Sequence, residues 1–357
     1  MQLKKSNINN PLEIYQGNIK RFFKEFKKIF NEEKIYLIVD ENTIQHIDYL
    51  EENFSVTSTH LELESGEENK TFNSVLKIWD FLNRNHVKSS DLLFVLGGGM
   101  LTDLAGFAAS TYKRGIEFIY IPTTLLAMAD ASIGGKTGFN FLYLKNNIGT
   151  FTLPKAVFLD TTFLETLPKT EFDSGIAEVY KHSIIGDVDL WKYLKVNSKE
   201  IDLYYIVKSS KDLKLKIVNQ DPYEKSIRKK LNFGHTIGHA IESYLLDSNS
   251  PTLHGFAIAK GMIIESFIAK KENLLSENNF KEIKTVLFDK FKSYLNFKID
   301  SEAIIKLIQS DKKNTKSTIN FSLPTKIGQV TVNHEIELKK VESYLLEFFQ
   351  NDLNFLN

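Results

Sequence analysis

The run Asp91-Leu92-Leu93-Phe94-Val95-Leu96 breaks off at Gly97-Gly98-Gly99, and a helical pattern follows from Leu101 to Tyr112. From Leu92 to Leu96 nothing polar intervenes, so the segment reads as a strand buried on both faces, as in a parallel sheet. The following helix carries Ala105, Gly106, Ala108 and Ala109, small residues that permit close packing. The same reading extends to both sides. Lys34 to Asp40 is a buried strand ending in an acid, Phe72 to Asn83 a helix, and Phe118 to Ile121 a strand stopped by Pro122. Strands alternating with helices predict a parallel, doubly wound sheet.

After about residue 165 the pattern changes. Glu171–Ile185, Lys208–Val218, Leu231–Leu246, Phe256–Lys271 and Phe280–Leu295 read as helices, with turn signals at Asp221-Pro222 and Ser250-Pro251. Phe321–Pro324 and Gln329–Val332 read as a small hairpin, and Ile336–Asn351 as a closing helix. There is no internal repeat. The expected division is an α/β domain over residues 1–165 and a mainly helical domain over residues 166–357.

Composition removes several function classes. The 45 basic and 45 acidic residues cancel, so no field of one sign is available for nucleic acid or an anionic membrane. There is no cysteine, which excludes thiolate metal sites, iron–sulfur clusters and cysteine nucleophiles. Any metal must be held by nitrogen and oxygen. Residues 1–7 show no apolar core behind their lysines, unlike a signal peptide. The apolar stretch Leu92–Ala109 is interrupted by Gly97–Gly99 and Asp103, so it is not a membrane span. A cytoplasmic location is the expectation.

Three of the eight histidines, His235, His239 and His254, fall within one short window. The first two share a helix face, and neutral imidazole is the commonest zinc ligand. Spacing alone makes both of them metal ligands. Thr236 stands where a His-Glu-x-x-His peptidase needs glutamate, which excludes that chemistry. Glu178 lies in an otherwise apolar helix with Lys181 on the same face. They are either a surface ion pair or a metal-ligating carboxylate beside a substrate cation. Gly97–Gly99 suits either a pyrophosphate at a helix start or a plain tight turn. Asp40 suits either ribose hydroxyls or a cap. The stretch Asp130–Gly138, continuing to Lys145-Asn146, reads as a long glycine-rich loop dense in usable groups, with Gly134-Gly135 before Lys136-Thr137 as an anion nest. It lacks the spacing of a P-loop.

Taken together and in order, these motifs resemble the 3-dehydroquinate synthase family. The resemblance is carried by Gly97–Gly99, Asp103–Ala109, Tyr112, Arg114-Gly115, Pro122–Ala127, Asp130, Gly134–Gly138, Lys145-Asn146, Glu178, Lys181, Arg228, Leu231–Thr236, Gly238–Ala240, His254-Gly255 and Asp311–Lys313, which span nearly the whole chain. It implies a Rossmann-like nucleotide-binding α/β domain, a helical C-terminal metal-binding domain, bound NAD, and one divalent metal, zinc or cobalt. Metal ligands would be Glu178, His235 and His254, which turns His239 into a substrate contact. NAD contacts would fall on Asp40, Asn42, Glu67, Lys70, Gly98, Gly99, Asp103, Thr123, Thr124, Lys136, Lys145 and Thr166. Substrate contacts would fall on Asp130, Lys136, Asn146, Lys181, Lys214, Arg228, Asn232, His239 and Lys312, with Lys136, Lys181, Asn232 and His239 catalytic. Arg114 would reach the phosphate in a neighbouring subunit's site, implying a homodimer.

The implied reaction converts 3-deoxy-D-arabino-heptulosonate 7-phosphate to 3-dehydroquinate and phosphate. Arg228 suits the substrate carboxylate because its fork binds two oxygens. Related sugar phosphate cyclases lacking a carboxylate substrate tend to lose the counterparts of Arg228, Asn232 and His239; all three are present. A metal-dependent glycerol or alcohol dehydrogenase would account for the glycines and histidines, though not for Lys136, Lys181, Lys214, Arg228 and Lys312 together. A catalytically silent homologue would have lost one of these groups. Two departures from the family pattern stand near the metal window: Phe256 in place of a glutamate, and a longer Ser243–Leu253 stretch.

Overall fold

The computed structural model describes residues 12–20, 22, 34–54, 56–142, 144–197, 200–248, 250–297, 299–310 and 317–352. The chain divides into two compact units. The first comprises Met1–Phe172 and Leu203–Leu215, the second Asp173–Asp202 and Lys216–Asn357.

Among the described residues of the first unit, six strands form one parallel sheet. They are β1 (Glu13–Gln16), β2 (Lys34–Asp40), β3 (Thr57–Leu63), β4 (Leu92–Gly97), β5 (Glu117–Pro122) and, after a hairpin, β8 (Ala156–Leu159), in the order β1-β8-β5-β4-β2-β3. Helices α1 (Ile47–Phe54), α2 (Phe72–Arg84) and α3 (Gly99–Thr111) make the connections. Every residue of β4 is buried, as its unbroken apolar run requires. From β2 the chain steps outward to β3, then returns to lay β4 on the other side of β2. The switch point therefore lies between the ends of β2 and β4, where sheets of this kind bind ligands. Asp40 ends β2 and Gly97 ends β4, so both stand at that crevice.

One expectation is corrected here. The segment read as a glycine-rich loop is one turn of π-helix at Ala127–Ala131, followed by an antiparallel hairpin, β6 (Lys136–Phe141) and β7 (Leu144–Phe151). Glycines 138 and 149 face each other across its rungs and hide the strand pattern.

The second unit contains α4 (Lys169–Gly186, from Asp173 on), α5 (Val188–Val196), the end of α6 (Leu203–Gln220), α7 (His235–Asp247), α8 (His254–Lys271), α9 (Glu277–Phe291), α10 (Ser301–Ser310) and α11 (Leu338–Asp352). The hairpin of β9 (Thr318–Lys326) and β10 (Gln329–Glu337) is longer than the sequence suggested. Helix α4 is buried without a break from Asp173 to Ile185, and α8 from Gly255 to Ala269. Helices buried on every side belong in a core, and α4 carries Glu178 and Lys181 into it. Helix α7 begins at His235 and not at Leu231, because Gly234 takes φ +82° and Ile227–Asn232 form a 3-10 turn. Helices α7 and α8 touch backbone to backbone: a Cβ at Gly261 would lie 2.1 Å from the Gly234 carbonyl oxygen. Gly261→Ala should therefore lower stability by about 1–3 kcal/mol, measured by chemical denaturation. An unchanged midpoint would show that the helices can part without cost.

Candidate active site

In the second unit, three helices converge on a cluster of imidazole and carboxylate. Glu178 of α4 is fully buried, and its partner one turn on, Lys181, is equally so. The surface-pair alternative is thus excluded. Glu178 Oε1 stands 3.6 Å from His235 Nε2 and 3.5 Å from His254 Nε2. His235 Nδ1 meets the Phe233 carbonyl at 3.1 Å, and His254 Nδ1 meets Glu242 Oε2 at 3.4 Å. His239 packs its ring 5.0 Å from that of His235 and 5.8 Å from that of His254, yet its side is open to solvent. One ring nitrogen from each histidine falls within 4.8 Å of the others.

The buried charges set opposite titrations. Burial, with Lys181 adding to it, drives His235 well below the ordinary imidazole value despite Glu178. Burial also opposes charge on His254, but Glu242 and the hydrogen bond to Glu178 outweigh it and hold that ring up at about 10. Phe256, one of the two departures, is a core residue. Its ring stacks 4.1 Å from Tyr294, whose hydroxyl donates to Asp173 at 2.9 Å. It presents no group to the histidines.

A second cluster in this unit surrounds Arg228. Asp221 accepts the amides of Lys225, Ser226 and Arg228 at 2.9, 2.6 and 3.0 Å, which folds the loop after α6 into a tight cradle. These amides pull the Asp221 carboxyl below its usual range against a desolvation penalty. Arg228 is buried, with Nη1 donating to the Pro222 carbonyl at 2.5 Å. Asn232 donates to Glu224 Oε1 at 2.6 Å. Glu224, at φ +57°, was not singled out from the sequence. No linear signal marks a carboxylate that a loop bends toward an amide eight positions on. Lys312 lies outside the described residues.

In the first unit, Gly98 begins α3 with no side-chain cap, leaving first-turn amides at a half-exposed helix start. Thr123 bonds the Gly97 carbonyl at 3.1 Å, and Thr124 Oγ1 accepts from Ala127 at 3.2 Å. Asp40 Oδ1 accepts from the Asn42 amide, the Thr43 amide and the Thr43 hydroxyl, each at 3.0 Å. It thus caps its own turn, and burial raises its pKa against those bonds. Lys70, deeply buried, bridges Asp103 at 2.6 Å and Asn146 at 2.5 Å. Asn140 ties Glu67 (2.9 Å) to the Asn146 amide (2.9 Å). Four residues scattered in sequence, Glu67, Lys70, Asp103 and Asn146, therefore share one network. Lys214 of α6 donates to Asp130 at both its carbonyl, 2.6 Å, and its carboxylate, 2.8 Å. Lys136 is exposed at the head of β6, and Lys145 is half-buried on β7. Thr166 bonds the Phe163 carbonyl and His46, whose amide donates to the Thr43 carbonyl in the turn that Asp40 caps. Arg114 is exposed, at φ +65° between Lys113 (φ +47°) and Gly115 (φ +107°).

Two family models match the chain: the one described as 3-dehydroquinate synthase N-terminal over residues 60–174, and 3-dehydroquinate synthase C-terminal over residues 175–314. A 3-dehydroquinate synthase of Parabacteroides distasonis is 37% identical over 332 residues, 91% of this chain and 94% of that protein. One of Campylobacter concisus is 42% identical over 291 residues, 81% and 83% respectively. Among solved structures, a 2-epi-5-epi-valiolone synthase of Streptomyces hygroscopicus with NAD+ and Zn2+ bound superposes with TM-score 0.83 at 22% identity, covering 98% of this chain and 99% of that one. A 2-deoxy-scyllo-inosose synthase complexed with carbaglucose-6-phosphate, NAD+ and Co2+ gives 0.80 at 24%, covering 94% and 96%. A butanol dehydrogenase of Thermotoga maritima gives 0.64 at 14%, covering the same 94% and 96%. These structural likenesses establish the fold.

The Lys70–Asp103 pair offers a test of how this framework stands. Lys70→Met leaves a carboxylate with only 21% side-chain exposure and without its hydrogen-bonded cation. It should cost about 3 kcal/mol in urea denaturation, and adding Asp103→Asn should recover most of that loss. A double variant no better than the single one would show that the pair is not what Asp103 depends on.

Proposed function

The chain belongs to the 3-dehydroquinate synthase family, and on that premise we propose that it converts 3-deoxy-D-arabino-heptulosonate 7-phosphate to 3-dehydroquinate plus phosphate, as a step toward aromatic amino acids. The substrate is oxidised at one carbon, loses phosphate by elimination, is reduced again, and closes by an intramolecular aldol step, so no NADH accumulates. The observation that carries this reading beyond the family match is the convergence of Glu178, His235 and His254, with Arg228, Asn232 and His239 all present in the same unit.

The donor set fits one divalent metal. For bonds of about 2.0–2.2 Å, tetrahedral ligands stand roughly 3.4 Å apart, close to the 3.5 and 3.6 Å found from Glu178 Oε1. Glu178, His235 and His254 would hold zinc or cobalt, and His239, at the solvent side, would face substrate. The uncapped start of α3 fits the pyrophosphate of NAD, beside Asp40, whose side-chain bonds among the described residues go to Oδ1. When bound, NAD supplies a hydride acceptor and donor, and the metal supplies Lewis acidity toward a substrate hydroxyl.

The chain's own residues bind, orient and move protons. His235, kept neutral by burial, offers a lone pair at once. Glu242 orients His254 through its outer nitrogen. Lys181, locked to Glu178, places a cation against substrate oxygen in a water-poor interior. Arg228, held by its loop, grips the substrate carboxylate. Asn232 and His239 contact the ring hydroxyls, His239 serving proton transfer. Asp130, Lys136, Asn146 and Lys214 would be further substrate contacts, and Glu67, Lys70, Asp103, Thr123, Thr124, Lys145 and Thr166 would belong to the NAD side. Arg114, on its strained exposed turn, would serve a second copy in a homodimer.

Purified protein with NAD, zinc and the heptulosonate phosphate should release phosphate and dehydroquinate in equal amounts without lasting NADH absorbance. No phosphate, with NADH formed from simple polyols, would mark a dehydrogenase instead. Glu242→Gln should weaken cobalt(II) affinity by about 10–100-fold, read by titration of metal-free protein. Unaltered affinity would remove Glu242 from the metal's surroundings.

A further inference from the structure

Helix α7 starts at a residue that cannot cap it. A helix start leaves amides without partners, normally served by a Ser, Thr, Asp or Asn side chain. Position 234 has no side chain and makes no side-chain cap bond. Nothing larger than glycine fits there, since φ is +82° and a Cβ would lie 2.4 Å from Met262 Cγ. The cap comes from the neighbouring helix. Glu265 of α8 accepts the Gly234 amide on Oε2 at 2.6 Å and the Ile237 amide on Oε1 at 3.0 Å. The Thr236 amide donates to the same carboxylate.

Glu265 has no solvent exposure, and among the described residues it forms no ion pair. A buried carboxylate without a cation is unfavourable unless fully hydrogen-bonded. Backbone amides at a positive helix terminus are what this one has. It lies eleven residues along α8 from His254, and the turn it grips carries His235 and leads to His239. One carboxylate thus ties the helix bearing one histidine to the helix bearing the other two. We propose that Glu265 is a positioning residue of the histidine site, a cap supplied across the helix pair that fixes the direction of His235 and His239 relative to His254. The inference rests on the metal reading above.

The test titrates metal-free wild-type protein and Glu265→Gln with cobalt(II) alone. Visible absorption of the bound ion, thermal melting and amide hydrogen exchange are followed in each. Glutamine keeps the volume but turns an N–H toward an amide donor. The expected result is a folded variant whose Gly234 and Ile237 amides exchange faster, with cobalt affinity about 10–100-fold lower and an altered cobalt band. A variant that melts earlier but binds cobalt with wild-type affinity and spectrum overturns the inference, leaving a purely stabilising residue. Wild-type protein that takes up no cobalt overturns the metal reading and this inference with it. Should Glu265→Gln not fold, recovery of folding and cobalt binding by Glu265→Asp, which keeps the carboxyl group, supports the inference. Wild-type Gly234 and Ile237 amides that exchange as fast as open chain overturn it.

Discussion

The close crossing of α7 and α8 is the contact on which the site depends. At Gly234, Gly238 and Gly261 the two backbones meet with no room for a side chain. His235 and His239 ride on the first turns of one helix, and His254 opens the other. Ring centroids 5.0 to 5.8 Å apart are a consequence of that approach. The approach also removes the local cap of α7, and Glu265 restores it from the facing helix. Packing and polar satisfaction are therefore one problem here, solved by the same pair of helices.

Charge buried inside the helical unit follows from α4 being a central helix. Glu178 and Lys181 have water on neither side; each has the other as an ion-pair partner, and Glu178 also has the imidazoles nearby. In such surroundings electrostatic interactions are stronger than at a surface, and unpaired groups are more costly. The two histidines flanking Glu178 diverge for that reason. Burial and Lys181 lower the His235 pKa, whereas Glu242 and Glu178 raise that of His254 against burial. The first unit uses the same device more modestly, with Lys70 holding Asp103 and Asn146 beside the switch point of the sheet.

Much of this was legible in the linear chain because burial on both faces writes unbroken apolar runs. Strands β2, β4 and β5 and helices α3 and α8 announce themselves that way, and α2 by its one-sided apolar period. Strand β3, Thr57–Leu63, lies at the sheet edge with polar residues facing out, so its sequence carries no such run. Strands β1 and β8 are four residues each, too short for a period to register. The β6–β7 hairpin was obscured by glycines needed for close backbone contact, which look in sequence like a loop. Asp40 illustrates a different gap. Its position at a strand end was readable, but three hydrogen bonds to its own turn were not.

Residue type and spacing were enough to establish the parallel α/β frame, the nitrogen and oxygen character of any metal site, and membership of a family through motifs spread along the chain. Periodicity is a local property, and cysteine-free composition is a global one; both survive without coordinates. Which histidine nitrogens face Glu178, that Glu178 and Lys181 are buried and not at the surface, and that Glu265 caps a helix it does not belong to are long-range facts. They depend on side chains brought together from distant positions in the chain. Their energies come from burial and from hydrogen bonds across helices, which no local pattern records.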